Sequence, residues 1–66
     1  MQIKISGTAT EVPDACSVLD LVQSRKLAPE AVIVGVNGVI IKREYWASSR
    51  LNPGDSVEIF RFIGGG

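Results

Sequence analysis

The chain has 66 residues, 45% of them apolar and 21% charged, with seven Lys plus Arg against seven Asp plus Glu. That length makes one domain with one small core, and the composition is that of a folded domain and not of a disordered segment. Zero net charge leaves no positive field to gather nucleic acid or an anionic membrane surface, so neither is an expected partner. One cysteine and no histidine exclude an internal disulfide, a zinc ligand set and a Cys/His nucleophile pair, so no metal site is expected. The longest apolar run, AVIVGV, is far short of the ~20 residues a membrane helix needs, and MQIKISGT lacks the layout of a signal peptide. The expected location is cytoplasmic.

In MQIKIS, Met1, Ile3 and Ile5 alternate with Gln2, Lys4 and Ser6, the period of a strand with one face on a core. Ser6 and Gly7 suit a tight reversal, and TATEV returns as a partner strand that Pro13 ends. A helix is predicted next. Ser17 is placed to cap it, Asp20 stands three residues later, and Cys16 and Leu21 occupy the two staple positions. Val18, Leu21, Val22 and Arg25 share one side, Arg25 and Lys26 put positive charge at the end, and Pro29 stops the helix after two to three turns. Cys16 is expected as a small buried residue.

AVIVGV and VIIKR flank Asn37 and Gly38, the dipeptide that best tolerates a type I′ turn, and a second hairpin follows. A two-residue turn would set Val36 against Val39 and Val34 against Ile41, but three successive apolar residues leave the register open. EYWASSRL has neither period and is expected as an irregular crossing with one turn of helix; Tyr45 and Trp46 either close a core edge or form a binding patch. NPGD is a turn in which proline sets the first central φ and glycine supplies the second. SVEIFRF then alternates, with Val57 and Ile59 on one face and Glu58, Phe60 and Phe62 on the other. The predicted order is strand, strand, helix and three strands: one sheet with a helix across its inner face.

The sequence closes on Gly64, Gly65 and Gly66, which have no side chain to pack and weaken a fold. Either they are a frayed end, or they serve a chemistry that a side chain would obstruct. If Val57 and Ile59 face the core, Phe60 and Phe62 project from the outer face of the sheet, where they would dock a partner, with Arg61 and Ile63 sharing the contact. Lys42, Arg25 and Lys26 read as solvated charge.

Three segments, MQIKISGTATEVPD, VIVGVNGVIIKREYWA and LNPGDSVEIFRFIGGG, together resemble the ThiS family of sulfur carriers in thiamine biosynthesis, in that order and over nearly the whole chain. Gly35 and Val39 stand where polar residues are more usual in that family. The resemblance implies an α+β ubiquitin-like β-grasp fold, a mixed sheet of four to five strands on one helix, with the domain over residues 1–63 and a carrier tail over 64–66. It also implies a protein cosubstrate and not an enzyme. An E1-like adenylating enzyme would use ATP and magnesium to join AMP to the Gly66 carboxylate, and a persulfide from a cysteine desulfurase or another donor would convert it to a thiocarboxylate. That sulfur would pass to a thiazole synthase, with no cofactor bound permanently. The implied site is Gly66, with Gly65, Gly64, Ile63, Phe62 and Phe60 as partner-binding residues. Two alternatives stay open: a related carrier for molybdopterin synthesis or tRNA thiolation, and a plain β-grasp interaction module.

Overall fold

The computed structural model describes residues 1–61. The expectations for Phe62, Ile63, Gly64, Gly65 and Gly66, and the domain boundary after residue 63, lie outside the described residues.

The described residues form five strands and one α-helix: β1 (Gln2–Ile5), β2 (Thr8–Glu11), α1 (Val18–Ser24), β3 (Val32–Val36), β4 (Val39–Ile41) and β5 (Ser56–Arg61). They form one mixed sheet in the order β2-β1-β5-β3-β4, with β1 and β5 parallel and every other pair antiparallel. This is the expected β-grasp arrangement, and it puts β5, the last strand, at the centre of the sheet.

Both hairpins close through two residues, Ile5 pairing with Thr8 and Val36 with Val39. Each turn needs two positive φ angles, met at 49° and 83° by Ser6 and Gly7 and at 51° and 84° by Asn37 and Gly38. The register left open by the apolar run is therefore the one that sets Val34 against Ile41. The Asn37 side chain also ties its turn to the start of β5: Oδ1 accepts from the Ser56 N–H at 2.9 Å and Nδ2 donates to Asp55 at 3.0 Å. In the NPGD turn the Asp55 N–H donates to the Asn52 carbonyl at 3.1 Å.

The helix begins as its sequence dictates and ends differently. Ser17 Oγ accepts from the Asp20 N–H at 3.0 Å while the Asp20 carboxylate accepts from the Ser17 N–H at 3.2 Å, a reciprocal cap. The Ser17 N–H bond first, then the Ser17 hydroxyl and the Arg50 charge nearby, hold the Asp20 carboxyl below the usual carboxylate range. The C-terminus comes at Ser24, before Pro29 can act. Lys26 adopts φ 56°, its N–H donates to Gln23, and the Leu27 N–H donates to Val22, a Schellman closure. The helix thus has two turns, and Arg25, expected on its apolar side, is the exposed C-cap. Pro29 opens a 3₁₀ turn (Pro29–Ala31) that leads into β3.

The core lies between helix and sheet. Ile3, Ile5, Val32, Val34 and Val57 meet Val18, Leu21 and Val22, closed at the edge by Cys16, Leu51 and Trp46. The crossing between β4 and β5 contains the expected turn of helix, a 3₁₀ turn (Arg43–Tyr45), and is tied to the helix start. Val18 N–H donates to Ser49, Leu19 N–H to Trp46, and Leu51 N–H to the Cys16 carbonyl at 2.8 Å. Trp46 is 2% exposed and its Nε1 donates to the Ile41 carbonyl at 2.8 Å, so of its two readings the core edge is the correct one. Tyr45 is exposed. Among the described residues no helix is long and apolar enough to cross a membrane.

Candidate functional site

β5 carries the chain toward residue 62, so what surrounds its end bears on any chemistry further along. Its residues alternate as predicted. Val57 and Ile59 share the helix side with Val34 and Val36, while Glu58 and Phe60 share the open side with Gly35 and Ile33. Phe60 is 52% exposed, on the outer face where the alternation places it.

Phe60 has company that sequence reasoning missed. The β3–β5 pairing sets it directly opposite Ile33, which is half-buried. One strand further, Ile40 is 57% exposed and pairs with Gly35, where an added Cβ would meet its Cδ1 at 3.7 Å. Ile40 therefore leans over a position with no side chain, and with Ile33 and Phe60 it makes an apolar surface across three strands. The two-residue turn at Asn37 and Gly38 held half of this information, since it forces Ile40 opposite Gly35. The partnership of β3 with β5 is set by the chain path through the crossing and has no local signal.

Arg61, expected to share a docking contact with Phe60, lies on the other face of the sheet. An odd-numbered residue of β5 falls on the helix side by the two-residue period, and Arg61 pairs with the buried Val32. It lines a groove with Arg25, Leu27, Ile59, Ile5 and Ser6. Phe62, Ile63 and the three glycines lie outside the described residues.

Cys16 is buried as expected, its Sγ 3.4 Å from the Ser17 carbonyl. Burial pushes its thiol up and the Asp20 charge adds to this, with Arg50 opposing, so the nucleophilic thiolate is disfavoured. Among the described residues no three His, Cys, Asp or Glu side chains gather as a metal site.

The family model for the ThiS family matches residues 2–66, a span that includes all three glycines. No curated protein matches the chain. Among solved structures, the crystal structure of the thiamine biosynthesis protein ThiS from Geobacter metallireducens is 33% identical with a TM-score of 0.83, and covers 100% of both chains. A solution structure of a thiamine biosynthesis protein from Geobacter metallireducens is also 33% identical, with a TM-score of 0.81, over 100% of this chain and 88% of that one. A family match over 65 of 66 residues, with the same fold over full length, leaves no ambiguity: the chain belongs to the ThiS family.

Proposed function

We propose that the chain is a sulfur carrier of thiamine biosynthesis and that the Gly66 carboxyl group is the part of it that carries. The observation that supports this most is the ThiS-family match, which runs through Gly64, Gly65 and Gly66.

The chemistry follows from what a carboxylate lacks. With a free pKa of roughly 3.5 it is ionised at neutral pH, and as an anion it resists nucleophiles. An E1-like adenylating enzyme, using ATP and magnesium, would attach AMP and release pyrophosphate. The terminal sulfur of a persulfide, from a cysteine desulfurase or another donor, would then attack the acyl carbon and displace AMP. A thiol would cleave the resulting S–S bond, leaving the thiocarboxylate for a thiazole synthase. The chain's own part is to bind and to present. Glycine at position 66 leaves the space round the acyl carbon open to the enzyme's donors and metal, and three extended glycines would reach ~10 Å into a cleft while the domain docks outside. Phe60, with Ile33 and Ile40 beside it, is the docking surface we assign to that step, joined by Phe62 and Ile63.

Intact mass tests the proposal. Incubated with the adenylating enzyme, ATP, magnesium and a sulfur donor, the protein should gain ~16 Da as oxygen is replaced by sulfur, and one residue added after Gly66 should abolish the gain while leaving the melting temperature unchanged. An unchanged mass for the wild type, or normal loading of the extended chain, would overturn it.

A further inference from the structure

A chain of zero net charge can still be strongly polarised, and this one is. Three grooves run round the end of the sheet where β5 reaches Arg61. The first holds Arg25 and Arg61, the second Lys26 and Arg61, and the third Lys42 and Arg43. The first two share Leu27 and Arg61, and the last two share Val32, so the grooves are neighbours in one belt. Five of the chain's seven Lys and Arg side chains stand along it, with Glu30 as the single carboxylate in its lining.

The five cations are exposed, and among the described residues none lies within 4.0 Å of a carboxylate. Of the carboxylates, Glu11, Asp14 and Asp55 lie at the far end, Glu58 stands midway along β5, and Glu44 follows Arg43 at the rim. Asp14 and Glu11 lie 3.0 and 4.0 Å from the Met1 amino group, and Asp55 is held by Asn37 at the opposite turn. Four residues of β5, or about 13 Å, separate the Val57 pairing from the Arg61 pairing, more than a Debye length of ~10 Å at 0.1 M salt. The two ends thus act as separate charges.

We infer that this basic rim is a docking surface for an acidic protein surface, one rich in Asp and Glu round the mouth of the partner's cleft. A small anion is a poorer fit. The grooves are open and hold about 250 to 290 Å³ each, at or below the ~300–1,000 Å³ of small-molecule sites. A nucleic acid is poorer still, because the acidic far end would repel a polyanion that ran past the rim. A protein rim answers both points. The third groove also includes Ile33 and Ile40, so the charged belt continues into the apolar surface beside Phe60. The inference rests on the carrier reading for its partner, the adenylating enzyme, and gives that enzyme's cleft a required sign. The rim's excess of positive charge, five cations against Glu30 and Glu44, would steer the end of the chain toward the cleft, raising the association rate more than the affinity once docked.

The test measures association with the purified adenylating enzyme by biolayer interferometry without ATP, and sulfur loading separately by intact mass, at 50 to 400 mM NaCl. The double variant Arg25→Glu/Arg61→Glu should associate ~10-fold more slowly than wild type at 50 mM NaCl and within ~2-fold of it at 400 mM. Lys4→Glu, which lowers the charge on β1 away from the rim, should stay within ~2-fold throughout. Should the reversal variant lose its fold by circular dichroism, Arg25→Gln/Arg61→Gln keeps size and removes charge, with about half the logarithmic effect expected. Equal association rates and equal salt slopes for wild type and rim variants would overturn the inference, as would a rise in KM for ATP with unchanged association, which would assign the cations to nucleotide phosphates. Failure of the wild type to load sulfur would instead sink the carrier reading, since association is measured without loading.

Discussion

Val57 and Phe60 stand three residues apart on β5, and one is 0% exposed while the other is 52% exposed. The strand is the same, and only the face differs. On the helix side Val57 joins a core with Val34, Ile3 and Leu21, where each methylene removed from water contributes about 0.8 kcal/mol. On the open side Phe60, Ile33 and Ile40 keep apolar area in contact with water, which stabilises nothing until another surface covers it. A central strand of a β-grasp sheet covered by a helix on one face thus divides its residues by parity: one set holds the fold and the other is free for recognition. Substitutions on the helix side should move stability, and those on the open side should move partner binding alone.

The largest effect should come from the helix side. Trp46 is the largest fully buried side chain, and Trp46→Ala should cost ~3–5 kcal/mol by analogy with other buried aromatics. A domain of 66 residues is stable by only ~3–10 kcal/mol, so urea denaturation should find much of the protein unfolded at 25 °C. A loss below ~1.5 kcal/mol would break the division just drawn.

On the open side, Phe60→Asp should weaken binding to the adenylating enzyme by more than ~1 kcal/mol, a fivefold or greater rise in Kd by calorimetry. Its melting temperature should stay within ~4 °C of wild type, since ~0.5 kcal/mol is the usual limit for a surface change. Unfolding of this variant would show that Phe60 belongs to the core after all.

The smallest effect sharpens the comparison at the helix start, where polar groups and not apolar area secure the inner layer. The folded state holds the Asp20 carboxyl below its unfolded pKa of ~3.9, so its contribution is complete well above that pH and fades as pH falls through the folded value. Wild type should therefore lose melting temperature between pH 5 and pH 2.5 more steeply than Asp20→Asn, by a few degrees at most. Parallel curves would show that the cap charge adds nothing.

Much of this was legible one element at a time. The alternation in MQIKIS and in SVEIFR up to Arg61, the dipeptide at Asn37 and Gly38, and the pairing of Ser17 with Asp20 each name a local geometry with a local cause, and each is found. Failures came where local signals compete. Pro29 looked like the stop for the helix, but Lys26 turns the chain left-handed three residues sooner. Arg61 was expected to share the docking contact of Phe60, yet adjacent strand residues point to opposite faces, and Arg61 reaches the rim from the helix side.

By itself the sequence determined the kinds of element, their order, both tight turns, the helix cap and the parity that exposes Phe60, because these depend on φ preferences and periods within a few residues. Only the tertiary structure decided that β5 lies between β1 and β3, that Ile33 and Ile40 join Phe60, that Trp46 fills the core edge, and that five cations from three parts of the chain surround one end. Those facts relate residues up to dozens of positions apart. They follow from how one helix and five strands bury their apolar faces together, a condition on the whole chain that no short stretch records.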